Sequence, residues 1–154
     1  MAGIPLTEAR VPGHTRPEVN ARIRQQTLDD LNRFVGAEPT IIDGRIAELR
    51  AEWDIERTLE ANAATVALVG TVLGTVADRR FLVLPAIVGG FLLQHAVQGW
   101  CPPLPVFRRL KVRTSGEIHA EMLALRLLRG DFGSPPASAE AALTMAEAGR
   151  PADG

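Results

Sequence analysis

The sequence predicts an all-α fold: a two-span transmembrane helical hairpin flanked by cytoplasmic amphipathic helices. Residues 61–77 carry no charged side chain, and residues 81–100 carry no Asp, Glu, Lys or Arg. Only the tripeptide at residues 78–80 separates the two runs. A helix rises about 1.5 Å per residue and needs about 20 residues to cross the hydrocarbon of a bilayer. The second run therefore has the length of a membrane span, and the first lies at the lower limit.

The segment before the hairpin has two predicted parts. Residues 1–18 include Pro5, Pro12 and Pro17 and have no continuous apolar stretch, so they predict a flexible N-terminal arm and not a secretory signal peptide. Residues 19–60 predict a cytoplasmic helical region, because apolar side chains recur there at helical spacing. The first apolar stripe consists of Val19, Ile23, Leu28, Leu31 and Val35, and the second of Ile42, Ile46, Leu49, Trp53 and Leu59.

The hairpin is predicted over residues 61–101, with spans at about 61–77 and 81–100. The polar turn at 78–80 is too short for anything but an antiparallel return. A buried helical pair inside a soluble helical bundle is the alternative, but two helices that are apolar all round would need a thick jacket of other helices. Trp100 lies where the second span would meet the headgroups, a position that indole prefers.

Cations beside the two runs predict the orientation of the hairpin. Cytoplasmic loops of membrane proteins carry an excess of Lys and Arg. The cations at the open end of the hairpin are Arg45, Arg50 and Arg57 before the first span and Arg108, Arg109, Lys111 and Arg113 after the second. The turn has only Arg79 and Arg80. Both termini are therefore expected on the cytoplasmic side.

The C-terminal third predicts a short helix and then a tail. Residues 102–132 are expected to form a juxtamembrane segment and an amphipathic helix. Residues 114–117 read Thr-Ser-Gly-Glu, the capping-box pattern, and apolar residues continue at helical spacing to near Gly130. Residues 133–154 are poor in bulky apolar side chains and predict a disordered tail, with a transient helix around Ala139–Ala148.

A short motif is shared with a known family. The chain has Glu56 and Arg57 before the first apolar run, and Gly99, Cys101 and Pro102 where the second run ends. This arrangement resembles the YgaP-like inner-membrane domain family, short bacterial hairpins that typically finish in Gly-x-Cys-Pro. The resemblance covers roughly residues 53–112. It implies a place in the bacterial inner (plasma) membrane and assembly as a homodimer.

The chain departs from the best-known arrangement of that family, in which a rhodanese domain precedes the hairpin. No region of alternating strands and helices precedes residue 61, and no cysteine precedes Cys101. Sulfur-transfer catalysis is therefore not carried over, and the chain is similar to a stand-alone form of the family. A role in handling a sulfur species remains an alternative by analogy alone.

Cys101 is the single cysteine, so it cannot form an internal disulfide. Pro102 and Pro103 end the helix that contains it, which places the thiol near the negative end of the helix dipole. A helix C-terminus disfavours the thiolate, whereas nucleophilic cysteines usually lie at a helix N-terminus or beside a cation. The sequence favours a packing residue, with a persulfide-carrying or metal-binding thiol as the alternative.

Two further features of the apolar runs suggest sites. Gln94, His95 and Gln98 form a candidate polar cluster, and ionisable groups in spans often serve transport or proton transfer. No acidic residue lies inside either predicted span to partner His95. Gly70 and Gly74 form a Gly-x-x-x-Gly face that lets helices approach closely, either within the hairpin or between copies of the chain.

Known catalytic, cofactor and metal motifs are missing from the sequence, so no enzyme activity, cofactor or metal is expected. The alternating acids Glu52, Asp54 and Glu56 are interpreted as a solvated helix face. A formal net charge of -1 argues against a nucleic-acid partner. The sequence predicts a non-catalytic, self-associating anchor that presents cytoplasmic helices to a protein partner. The alternative is a small-solute transporter or channel subunit that uses the polar cluster.

Overall fold

The computed structural model describes residues 10–148, and every regular element in that part of the chain is helical. The prediction of an all-α protein is confirmed. The helices are α1 Arg10–Gly13, α2 Pro17–Asn32, α3 Pro39–Ala51, α4 Ile55–Val76, α5 Val83–Gln98, α6 Leu104–Arg109, α7 Ser115–Arg129 and α8 Ala139–Ala148. The chain divides into two compact units. Unit 1 contains residues 10–16 and Ile55–Val112, and unit 2 contains Pro17–Asp54 and residues 113–148.

Unit 1 is built on α4 and α5, which pack along each other. They run antiparallel, because Glu56 near the start of α4 contacts His95 near the end of α5, while Gly74 lies against Leu82 at the opposite end. A 3₁₀ turn, Arg79–Leu82, connects them, and the Asp78 side chain caps it by accepting from Arg80 N at 2.8 Å. A small core closes the other end of the pair and contains Val11, Ile55, Leu59, Cys101 and Leu104.

The two long helices of unit 1 are strongly apolar and little buried. Helices within Pro39–Val76 and Arg79–Gln98 are long and apolar enough to cross a membrane. In the apolar 18-residue stretch of each, only 17% and 6% of the residues are buried. The core helix of a soluble bundle is mostly enclosed by its neighbours, and these two helices are not enclosed within the described part of the chain. The exposed large side chains include Leu68, Val72, Val76, Val83, Ile87 and Leu93.

Unit 2 has its own hydrophobic core. Helix α7 lies at its centre and contacts α2, α3 and α8. Helix α2 also contacts α8. Each helix contributes one buried face, as expected for helices that stabilise one another by packing. The most enclosed side chains of this core are Leu31, Ile42, Leu49, Ala124, Leu125, Ala142 and Leu143.

The N-terminus of α7 has the predicted capping box. Glu117 N donates to Thr114 Oγ1 at 3.2 Å, and Thr114 N donates to Glu117 Oε2 at 2.7 Å. The two bonds satisfy backbone donors that a helix start leaves without partners. At the other end, Gly130 adopts φ 87°, a left-handed conformation that suits glycine and ends the helix.

The boundary between the predicted helical region and the first predicted span differs in the structure. The predicted helical region at 19–60 is not one body, because the chain breaks at Glu52 in an extended conformation and α4 begins at Ile55. Its second apolar stripe is therefore divided, with Leu49 in the core of unit 2 and Leu59 in that of unit 1. The first long helix consequently starts six residues before the predicted span at 61–77.

The predicted flexible arm and disordered tail are also corrected. Within residues 10–18, α1 places Val11 in the core of unit 1 with 2% of its surface exposed. Within the predicted tail, the helix expected around Ala139–Ala148 is α8. It is packed and not transient, because it buries Ala139, Ala142, Leu143 and Ala146 against its neighbours. Small alanines let the helix approach closely, so a segment with few bulky side chains still packs. Residues 1–9 and 149–154 of these two predictions lie outside the described residues.

Candidate functional site

The site begins with an ionisable pair at one end of the α4/α5 pair. His95 lies in the last turn of α5, and Glu56 lies in the first turn of α4. His95 Nε2 and Glu56 Oε2 are 2.8 Å apart. The histidine side chain is 7% exposed and the glutamate side chain is 38% exposed. The carboxylate therefore keeps contact with the surroundings, while the imidazole depends on the protein for its partners.

The tautomer of His95 follows from this contact. A carboxylate only accepts hydrogen bonds, so Nε2 carries the proton that is shared with Glu56. In the neutral imidazole, Nδ1 is then an acceptor. His95 Nδ1 is the one buried side-chain polar atom among the described residues that has no hydrogen-bond partner. Buried polar groups are normally paired, so this atom marks the site as incomplete.

An apolar cavity of about 330 Å³ lies beside the pair, between α4, α5 and α6. Its volume falls at the lower end of the range for small-molecule sites, about 300–1,000 Å³. His95 and Cys101 line it together with Asn62 and a set of apolar side chains. The apolar part of the lining includes Leu59, Val66, Val88, Phe91, Leu92 and Phe107. Such a cavity, apolar with few polar atoms, has the usual character of a site for an apolar ligand.

Cys101 forms part of the wall of this cavity. It is 4% exposed and packs in the core of unit 1 with Ile55 and Leu59. Burial raises the pKa of the Cys101 thiol, the negative charge of Glu56 raises it further, and a backbone hydrogen bond at Leu104 opposes them. A raised pKa keeps the thiol protonated, the opposite of what a nucleophile needs. The geometry favours the packing role.

The remaining motif residues fix the chain around the cavity. Gly99 adopts φ 75° and caps α5, donating through its N to His95 O at 2.7 Å. A Cβ at Gly99 would overlap Arg10, so the glycine is required both by conformation and by space. Arg10 in turn donates to Ala96 O at 2.5 Å, satisfying a carbonyl at the helix end. Pro102 lines the cavity.

The predicted polar cluster is only partly assembled. His95 pairs with Glu56 and not with Gln94 or Gln98, and Gln98 is exposed. The expectation that no acidic residue partners His95 is corrected, because α4 starts early enough to include Glu56. Glu56 and His95 are 39 positions apart, so only the antiparallel register brings them together. Arg57, the remaining motif residue, is exposed.

Gly70 and Gly74 are buried at the contact between α4 and the chain that follows it. A Cβ at Gly70 would lie 2.8 Å from both Leu84 Cβ and Pro85 Cδ. A Cβ at Gly74 would lie 2.5 Å from Leu82 Cδ2. Of the two alternatives for this face, the structure therefore favours packing within unit 1.

Sequence reasoning missed a buried charge network in unit 2. Glu121 is 0% exposed and accepts from Arg45 Nη2 at 3.0 Å and from Arg113 Nη1. Arg113 also pairs with Glu52, which was predicted to be solvated. Burial lowers the pKa of Arg113, but the hydrogen bonds that Arg113 donates to Glu52 and the charge of Glu121 outweigh it, so that pKa is raised. Glu121 follows an ordinary helical pattern, and no local signal indicates that it is buried.

Among the described residues, no group of three or more His, Cys, Asp or Glu side chains could hold a metal ion.

Comparison of the chain with protein-family models, with curated proteins and with solved structures gave no match. The similarity to the YgaP-like family therefore stays a prediction.

Proposed function

We propose that the chain is a non-catalytic membrane anchor. In this proposal, α4 and α5 span the bacterial inner membrane as a helical hairpin, and unit 2 is a cytoplasmic helical module that binds a protein partner. The observation that carries the proposal is the exposure of the two long apolar helices, of which 17% and 6% are buried. Exposure of such apolar surfaces to water costs free energy, whereas contact with the hydrocarbon of a bilayer does not.

The shape of unit 1 supports a membrane hairpin in further ways. Both helices satisfy their backbone hydrogen bonds internally, as the bilayer requires. The polar turn at Asp78 and Arg79 lies at one end of the pair, while exposed Arg57, Arg109 and Lys111 lie near the other. Arg108 is 1% exposed and donates to Thr15 Oγ1 and Val112 O, so it does not add to the surface charge. The exposed cations still favour cytoplasmic termini.

Self-association is part of the proposal, in line with the resemblance to a homodimeric family. Gly70 and Gly74 are occupied within unit 1, but Cβ atoms at Gly89 and Gly90 would meet nothing within 4 Å. This small, open patch on α5 lets a second helix approach closely. Gly90→Leu is expected to weaken self-association in a membrane two-hybrid assay. Ala96→Leu, an exposed position on another face of the same helix, serves as the control.

Alkaline carbonate extraction tests the anchor directly. Membranes that contain the full chain are washed with carbonate and separated by centrifugation. The proposal predicts that the chain stays in the pellet and leaves it only with detergent. Release into the carbonate supernatant would contradict a spanning hairpin.

A solute transporter or channel subunit is the second candidate. The Glu56–His95 pair favours it, because a paired carboxylate and imidazole inside a span form a possible proton-transfer couple. Purified chain in vesicles with a pH-sensitive dye inside would show proton flux that Glu56→Gln abolishes. A proton flux no faster than that of vesicles without the chain would reject this candidate. It would not affect the anchor proposal.

A further inference from the structure

We infer that the cavity of unit 1 binds the chain of a medium-length fatty acid, whose carboxylic acid group donates a hydrogen bond to His95. The inference rests on the proposed membrane location, since the bilayer is the source of such a ligand. It assigns a lipid-derived ligand to a site that the anchor role does not require.

The apolar wall of the cavity fits an acyl chain. Glu56, Leu59, Ala63 and Val66 follow one another on a single face of α4, and the three that come after Glu56 line the cavity. The volume of a water molecule in the liquid is about 30 Å³, close to that of a methylene group. A cavity of about 330 Å³ therefore holds about eleven such groups, which corresponds to a medium and not a long chain.

The polar atoms at the cavity select a head group that donates a hydrogen bond. His95 Nδ1 is an acceptor without a partner when Nε2 donates to Glu56. Asn62 Nδ2 donates to Thr58 O at 2.8 Å, so its carbonyl oxygen is the part of the amide that is left to accept. A protonated carboxylic acid supplies a donor for either atom. Nδ1 is covered by protein atoms beside the cavity, so the head group reaches it through a small shift of the neighbouring side chains that leaves Nε2 on Glu56.

The Glu56 carboxylate favours binding of a carboxylic acid beside His95, because it stabilises a protonated imidazole. A proton that passes from the ligand to His95 Nδ1 gives an imidazolium between two carboxylates, that of the ligand and that of Glu56. No other bond changes, and both negative groups then face one cation. Charge-assisted hydrogen bonds of this kind are stronger than neutral ones.

Photocrosslinking of the full chain in vesicles of phosphatidylethanolamine and phosphatidylglycerol tests the inference. The probe is decanoic acid with a diazirine on its chain, and mass spectrometry maps the crosslinked residues. Labelling is expected on the cavity residues Phe91 and Phe107. Unlabelled decanoic acid should compete at least about tenfold better than methyl decanoate, because the ester leaves the buried acceptor without a donor.

Two pairs of variants separate a site from general contact with lipid. Ala63→Leu fills the cavity, whereas Ala64→Leu changes an exposed neighbour on the same helix. Loss of labelling in the first variant and retention in the second is expected. His95→Phe keeps an aromatic ring but should remove the preference for the acid over the ester.

Equal labelling of the two alanine variants, or equal competition by acid and ester, would overturn the inference. So would labelling of the cavity residues that unlabelled decanoic acid does not displace. The same vesicles are washed with carbonate before the assay. A chain that washes off refutes the membrane location itself, whereas a chain that stays but does not bind refutes the fatty-acid site alone.

Discussion

Glu56 Oε2 and His95 Nε2 lie 2.8 Å apart and join the first turn of α4 to the last turn of α5. The two partners are unequal, because the His95 side chain is 7% exposed and that of Glu56 is 38% exposed. An enclosed polar group that loses its partner has no solvent to replace it. Loss of Glu56 should therefore lower the stability of unit 1 more than loss of His95.

We predict that Glu56→Leu destabilises the chain more than His95→Leu. The first change leaves both ring nitrogens of His95 without partners, at a cost of about 1–3 kcal/mol. The second leaves a carboxylate that its surroundings can still solvate. Thermal unfolding in detergent, followed by circular dichroism, measures the difference. Equal losses from the two variants would show that the pair does not matter for stability in this way.

The close approach at Gly70 gives a second prediction. Gly70→Ala should destabilise unit 1 by about 1–3 kcal/mol, because its Cβ would lie 2.8 Å from Leu84 Cβ. Gly90→Ala is the matched control, since a Cβ there meets nothing within 4 Å. It should leave stability unchanged or raise it by up to about 1 kcal/mol through helix propensity. Denaturation in mixed micelles compares them, and identical behaviour of the two variants would refute the contact.

The buried network of unit 2 gives a third prediction. Glu121→Ala removes the buried carboxylate between Arg45 and Arg113. Each arginine keeps a more exposed acidic partner, Glu48 for Arg45 and Glu52 for Arg113, so the expected cost is about 1–3 kcal/mol. Glu48→Ala removes another partner of Arg45 whose side chain is 69% exposed, and it should cost less than about 1 kcal/mol. Hydrogen exchange of the α7 amides in the full chain measures both. Slow exchange in Glu121→Ala, as in the unaltered chain, would contradict the assignment.

The end of α7 has a pH-dependent contact. Hydrogen bonds from Arg129 and Arg126, at 2.7 and 3.2 Å, hold the pKa of Asp131 at about 2. A carboxyl whose pKa is lowered in the folded state contributes its stability above its ordinary pKa of about 3.9 and loses it as the pH falls through 2. The contact is thus complete at neutral pH and persists in moderate acid.

Carbon-13 labelling of the aspartate carboxyls lets magnetic resonance follow this titration. Asp131 should titrate near 2 in the unaltered chain. In Arg129→Gln its pKa should rise toward the ordinary value, because the leading hydrogen bonds are gone. A midpoint for Asp131 near 3.9 in the unaltered chain would exclude the contact in solution.

The sequence predicted those features that depend on neighbours in the chain. The capping box at Thr114 and Glu117 needs only a spacing of three residues, and the all-α class follows from helical spacing of apolar residues. The two long apolar helices were identified from the absence of charge. Each of these signals is local, so each can be recognised without knowledge of the fold.

The features that sequence reasoning missed depend on tertiary contacts. Glu56 partners His95 only because α4 begins at Ile55, and the break at Glu52 that permits this has no proline or glycine to mark it. Helix α8 was predicted only as a transient helix in a disordered tail, because its stability comes from packing and not from its composition. The sequence around Glu121 is typical of an exposed helix residue. Its burial results from the packing of α3 against α7, which no local pattern indicates.

Thiol labelling of intact spheroplasts tests most directly whether hydrocarbon surrounds α4 and α5. Arg79→Cys and Ser134→Cys are prepared separately in a Cys101→Ala background, both at exposed positions, and treated with a membrane-impermeant maleimide. The hairpin predicts that Cys at 79 reacts from outside, and that Cys at 134 reacts only after the membrane is permeabilised. Protection of both positions until lysis, with the chain recovered in the soluble fraction, would contradict a membrane-spanning pair.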